Sequence, residues 1–315
     1  MARVVLAVEY GGPEVLRLVE EPTPIPGPAQ VLIDVRAAGV NPADVKRYGG
    51  VFGRDPAQLP LRLGYEAAGV VTAVGTDAQG PAGPIRVGAE VIAFPVDGGS
   101  AEQLLVAASA LVPKPANLGW EQAAGLMLSG ATAVHALVAI GLRAGDTVVV
   151  HGASGGVGTM AVQLAVARGA RVIGTASPAR HDFLRELGAV PVAYGDGLAE
   201  RIRALAPEGV RAAVDAVGTD EAVDVSLELV TDRSRIATIA AFGRAAGAGI
   251  KLLGGGSGAD PGTEVRDAAR LELVELVEQG ALRVFVERSY PLADVVEAHR
   301  QISTGHTRGK IVLVP

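Results

Sequence analysis

The chain contains no cysteine. That single absence removes disulfides, thiolate zinc sites, iron–sulfur clusters and cysteine nucleophiles together. Histidine is scarce as well, with five residues whose spacing fits no metal site. Aromatic residues make up only 3% of the chain, which implies a binding cleft lined by aliphatic side chains. No basic excess exists: 28 Lys and Arg stand against 34 Asp and Glu, a net charge of −6. Without a positive field to hold phosphates, nucleic acid and acidic membrane surfaces are excluded as partners. Long hydrophobic runs are also missing. The apolar stretch Val4–Val8 ends at Glu9 and is too short for a secretory signal. Ala123 to Leu142 carries no formal charge, but Gly125, Ser129, Gly130, Thr132, His135 and Gly141 interrupt it. A spanning helix needs stronger hydrophobes, so this stretch reads as a buried helix with a polar break. The expected location is the cytoplasm.

What is present suits a two-domain soluble protein. The chain has 315 residues and 49% hydrophobic side chains, enough for sizeable cores. The first third is β-rich. Arg3–Val8, Leu16–Glu20, Val31–Ala37, Gly69–Val74 and Glu90–Phe94 read as short strands punctuated by Gly and Pro, the signature of a compact barrel-like domain. From Gly119 the rhythm changes. Strands at Thr147–His151, Arg171–Thr175, Val190–Tyr194, Ala212–Ala216 and Arg235–Ile239 alternate with helices at Gly156–Gly169, Pro178–Leu187, Leu198–Leu205 and Glu221–Leu229. Strands separated by helices mean βαβ units and a parallel sheet. Beyond a Gly-rich bend come an amphipathic helix over Thr263–Gln279, a helix from Pro291 to Ile302 and a last strand, Lys310–Val314, expected to return to the first domain.

The most informative segment runs from Val148 through His151, Gly152, Ala153, Ser154, Gly155, Gly156 and Val157 to Gly158. A strand leads directly into a Gly-rich turn and a helix. A pyrophosphate needs backbone N–H groups aimed at it, and a helix N-terminus supplies them with a favourable dipole. Gly155 and Gly156 leave room for close approach, and Gly158 lets helix and strand pack together. Ala153 stands at the usual first glycine of a dinucleotide turn, and no Gly-Lys-Ser/Thr follows to make a P-loop. The next strand decides which dinucleotide. NAD binders usually place an acid at its tip for the ribose hydroxyls. Here the tip reads Thr175-Ala176-Ser177-Pro178-Ala179-Arg180. Ser177 and Arg180 suit a 2′-phosphate, the Arg through its fork of donors, and Tyr194 adds a hydroxyl. NADPH is therefore the expected cofactor.

With these features the chain resembles the zinc-independent medium-chain dehydrogenase/reductases of the quinone oxidoreductase, or zeta-crystallin, type. Five segments carry the resemblance: Gly39–Asp44, Gly64–Val71, the Gly152–Gly158 turn, Asp215–Gly218 and Arg308–Leu313. It implies a GroES-like β-barrel catalytic domain from residues 1–118 and 259–315. It also implies a Rossmann doubly wound parallel sheet over 119–258, with NADPH in the cleft between. Asn41 would lie near nicotinamide and substrate, and Ser129 and Thr132 would contact the nicotinamide side. Val217 and Gly218 would pass under the adenosine. Phe242 and Gly243 would approach the carboxamide, and Arg308 and Lys310 would border the phosphates or the substrate mouth. The zinc-dependent cousins carry Cys where Asn41 stands and His where Tyr65 stands, so no metal is expected. Glu66 reads as structural, paired with an Arg. The resemblance further implies a homodimer formed through an edge strand at Gly249–Leu253.

A metal-free reductase of this kind suits quinones and enones, because hydride addition gives a delocalised oxyanion that needs only a few donors. The candidates are Asn41, Lys46 and Tyr48. Several relatives carry Tyr where Lys46 stands, so Tyr48 is either the replacement acid or a packing residue, and Lys46 is either catalytic or solvated. His135 reads as a core group, and His299 and His306 as surface. The expected activity is NADPH-dependent reduction of a quinone or α,β-unsaturated carbonyl. The alternatives are an enoyl-thioester or alkenal double-bond reductase and a non-catalytic NADPH-binding protein of the same fold.

Overall fold

A computed structural model describes residues 1–315. The chain forms two compact units: Met1–Leu128 with Arg270–Pro315, and Ser129–Ala269. These boundaries fall later than the sequence suggests, for local reasons. Trp120–Ala124 is helical and stays with the first unit, where the Gln122 amide donates to the Val284 carbonyl (3.4 Å). The Leu128 N–H donates to Glu66 Oε2 (2.8 Å). At the far end, Leu253 bridges to Asp260, whose carboxylate meets His135 Nε2 (3.2 Å), which keeps that segment in the second unit.

The first unit is built on a long strand, Gln30–Val40. Ala67–Val74 and Lys310–Val314 pair with it antiparallel, as does Gln103–Ala107. The sheet continues through Glu90–Ala93 to Leu111–Pro113 on one side and to Val286–Pro291 on the other. The chain's last strand thus closes the sheet begun by its first third, as expected: Ile311 faces Val40 and Leu313 faces Ala38. Ala2–Ala7 forms a separate small sheet with Leu16–Glu21 and Leu61–Arg62. The core between these strands gathers Ile33, Leu63, Val71, Leu111, Ile311 and Leu313. Each such side chain contributes about 1.5–3 kcal/mol on leaving water. The strand at Gln103–Ala107 alternates poorly, with Leu104 and Leu105 adjacent, and the one at Val286–Pro291 carries charges, so neither stood out from the sequence.

The second unit is a six-stranded parallel sheet. Its spatial order is Val190–Val192, Arg171–Thr175, Thr147–His151, Ala212–Asp215, Ile236–Thr238, Lys251–Leu252. In chain order that is 3-2-1-4-5-6, the doubly wound arrangement whose switch point lies beside the first strand. The apolar strand Thr147–His151 lies at the centre because both its faces are covered. Lys251–Leu252 is the edge strand, within the segment expected there. The uncharged stretch from Ala123 resolves into two helices, Trp120–Ala124 and Met127–Ala139, broken after Gly125. No helix is long and apolar enough to cross a membrane.

Candidate functional site

The second unit presents a continuous group of turns at the carboxyl ends of its strands. Gly155 caps the helix Gly156–Ala167, whose first N–H groups have no acceptor within the helix. Gly155, Gly156 and Val157 are partly exposed there. A side chain at Gly158 would meet the Gly152 carbonyl oxygen at 2.1 Å, so only glycine lets the helix sit this close to the turn. Ser177 and Arg180 share one helical turn, with the Arg180 N–H donating to the Ser177 carbonyl (2.9 Å). Thr175 pairs with Val192 in parallel register, so Ser177 and Tyr194, each two residues beyond its strand, leave the sheet side by side. Tyr194 is exposed and both Ser177 and Arg180 are half-buried. The residues present fit a dinucleotide diphosphate on the turn and a phosphorylated adenosine at the second strand's tip.

A row of polar side chains, not anticipated from the sequence, holds these turns. The register places Asp215 beside His151 on one side and Thr238 on the other. All three are buried. Asp215 Oδ1 accepts the N–H groups of Val217 (2.9 Å) and Gly218 (2.8 Å), and Oδ2 accepts the Thr238 hydroxyl (2.7 Å). Thr238 Oγ1 in turn accepts from Ala240 (3.1 Å) and Ala241 (2.9 Å), which fixes the approach to Phe242 and Gly243. Thr175 Oγ1 accepts from Gly152 (3.2 Å). His151 Nε2 has no partner, and burial pushes the ring down to about 4, against the pull of Asp215, so it is neutral. The available signal was a polar residue ending each of several apolar strands.

In the first unit, Asn41 caps the short helix Pro42–Tyr48. The Asn41 N–H donates to Asp44 Oδ2 (3.0 Å), and the Gly64 N–H donates to Asp44 Oδ1 (3.0 Å). Asp44 therefore ties the turn together, as its place after Asn-Pro suggested. Burial, opposed by these two N–H groups, raises its carboxyl to about 6. The Asn41 amide donates to the Gly39 carbonyl (3.2 Å) and Glu66 Oε1 (3.3 Å), while its oxygen accepts from Lys310 Nζ. Lys310 also donates to Glu66 Oε1 (2.8 Å).

This geometry corrects several expectations. Asn41 is 1% exposed with both amide hydrogens engaged, so it has none to offer an acceptor oxygen. Tyr48 is fully buried, meets His299 Nδ1 (3.2 Å) and has its phenol pushed above the usual range by burial, which fits the packing reading. His299 is a core residue and not a surface one, lowered to about 4 by burial. Lys310 is 3% exposed and turned inward onto Asn41 and Glu66. It, and not an Arg, is the partner of Glu66. Lys46 is half-buried on the same helix, and Arg308 is exposed near the chain's end, with its N–H on Glu287 Oε2 (3.2 Å). Ser129 and Thr132 are buried near the start of the helix Met127–Ala139. Val217 is exposed, Phe242 half-buried and Gly243 exposed. His135 is buried and His306 exposed, as read from the sequence.

Comparison with known proteins fits this architecture. Residues 27–140 match the family described as alcohol dehydrogenase GroES-like domain, and residues 187–313 match the one described as zinc-binding dehydrogenase. A quinone oxidoreductase of Pseudomonas aeruginosa is 33% identical over 100% of both chains. The chain belongs to the zeta-crystallin-like quinone oxidoreductase family of medium-chain dehydrogenase/reductases. A chloroplastic NADPH-dependent alkenal/one oxidoreductase of Arabidopsis thaliana is 31% identical, covering 98% of this chain and 78% of that protein. A mycobacterial structure solved with NADPH superposes with a TM-score of 0.85 at 31% identity over 100% of each chain. Although one matched family is described as zinc-binding, this quinone oxidoreductase homologue brings together no group of three or more His, Cys, Asp or Glu able to hold a metal.

Proposed function

We propose that the chain is an NADPH-dependent reductase of quinones or other conjugated carbonyls. The observation that carries this reading is the Gly152–Gly158 turn, with Ser177, Arg180 and Tyr194 gathered at the neighbouring strand tips and no acid among them. When bound, NADPH supplies hydride from its dihydronicotinamide. The chain's own part is to hold the diphosphate on peptide N–H groups, to favour the 2′-phosphate with Arg180, and to orient the acceptor. The names of the Pseudomonas and Arabidopsis relatives support both acceptor classes.

The test is titration of the wild-type protein with NADPH and NADH, followed by turnover with 9,10-phenanthrenequinone and with trans-2-alkenals. Hydrogen bonds to a charged group contribute about 1.5–3 kcal/mol, so at least a roughly tenfold preference for NADPH is expected, with NADPH oxidised by one acceptor class or both. Equal affinity for the two dinucleotides, or binding without oxidation, would overturn the reading.

A further inference from the structure

Asn41 and Tyr48, two of the three donors expected, are closed off. We propose that a cavity in the first unit takes a flat aromatic acceptor and that the Tyr65 hydroxyl gives its proton to the acceptor's reduced oxygen. This rests on the reductase reading above.

The cavity encloses about 380 Å³ and is lined by Tyr10, Arg47, Phe52, Arg54, Asp55 and Tyr65, among others. The whole chain has five Tyr and five Phe, and three of those rings face this one space. Such a concentration in an aromatic-poor sequence favours a planar ligand, since electron-poor rings stack on electron-rich ones. The wall is braced: the Tyr10 hydroxyl donates to the Asp55 carbonyl (3.1 Å) and accepts the Asp55 N–H (3.0 Å).

Tyr65 has the chemistry the step requires. It is half-buried at the cavity and follows Gly64, whose N–H is fixed on Asp44, while the next residue, Glu66, lies against Asn41 and Lys310. Burial, reinforced by the Asp44 charge, pushes its phenol up to about 12, so it rests in the proton-carrying form. The Arg47 guanidinium lies 5.9 Å from the ring centre and opposes that rise. An arginine only donates, so Arg47 does not take up the phenol's own O–H. Arg47 is held by Asp97 (2.5 Å) and the Arg62 carbonyl (2.9 Å), and it stabilises the phenolate formed after transfer.

The step balances. The quinone takes hydride, two electrons and one proton, from reduced nicotinamide dinucleotide, which is left oxidised. The product is a hydroquinone monoanion. As its oxygen forms a new O–H bond, the Tyr65 O–H bond breaks, and the phenolate then takes a proton from water.

Two variants test this in the intact protein. Tyr65→Phe keeps the ring and removes the donor. It should lower kcat for 9,10-phenanthrenequinone by about 100-fold while the NADPH dissociation constant stays within about twofold. Phe52→Ala should raise KM for phenanthrenequinone several-fold, and by more than it raises KM for a trans-2-alkenal. Wild-type kcat/KM in the Tyr65→Phe protein would remove the donor assignment, and an equal effect of Phe52→Ala on both acceptors would remove the ring assignment. A wild-type protein that does not bind NADPH would instead sink the parent reading, and that result comes before any variant is compared.

Discussion

At the scale of single residues, Lys310 shows how one buried charge organises a site. Its ammonium is shared by the Asn41 oxygen and Glu66 Oε1, and Glu66 is completely inaccessible to solvent. Taking two charges out of water is expensive, and the pair persists because both Glu66 oxygens are hydrogen-bonded and the ammonium has two acceptors. Glu66 Oε2 completes the set by accepting the Leu128 N–H. Removing the cation alone strands the carboxylate. Lys310→Met should cost about 3–5 kcal/mol of unfolding free energy, read as a lower urea midpoint. Combining it with Glu66→Gln should recover part of that loss. A single variant as stable as wild type would mean that the pair contributes nothing. None of this was legible beforehand: Lys310 and Glu66 lie 244 positions apart, and spacing along the chain carries no information about such an encounter.

Among the elements, several strands and helices follow closely from their patterns. Thr147–His151, Arg171–Thr175, Leu198–Leu205 and Lys310–Val314 have the bounds that hydrophobic runs and turn residues predict. The hydrogen bonds that level the turns follow from strand register, which the pattern of one strand does not reveal. Thr238 is the joint of that arrangement, donating to Asp215 and accepting from two N–H groups. Thr238→Val is nearly isosteric but takes this partner from Asp215 Oδ2 and from the Ala240 and Ala241 N–H groups, each buried loss costing about 1–3 kcal/mol. Amide exchange at Ala240 and Ala241 should quicken by tenfold or more in the unliganded protein, and Thr238→Ser should restore protection. Unchanged exchange in the valine variant would show the turn to be held by something else.

For the molecule as a whole, burial sets the response to acid. His151 and His299 are both lowered to about 4. Each contributes stability that is complete above the unfolded histidine value of about 6.5 and is lost as pH falls to about 4. His135, held below its ordinary value by burial, acts in the same direction. Asp44 opposes them: its folded value of about 6 means that its contribution is complete below about pH 4 and is lost as pH rises towards 6. Between pH 4 and 6 the histidines outweigh the aspartate. Unfolding takes up about one proton, and stability should fall by about 1.4 kcal/mol per unit of acidification. Urea titrations at pH 4.5, 5.5 and 6.5 measure this slope. His299→Phe should flatten it, and an unaltered slope in that variant would remove His299 from the account.

The sequence by itself determined the local and the periodic: a parallel sheet of βαβ units, a β-rich partner closed by the chain's last strand, and a glycine turn shaped for a diphosphate. Those features depend on neighbours within a few residues, where backbone sterics and side-chain alternation act. Only the tertiary structure decided which polar groups are used up and which remain available. It turned Asn41, Tyr48 and Lys310 inward and left Tyr65 at a cavity. The reason is physical: a side chain's partners, and the water it loses, depend on segments that meet from opposite ends of the chain.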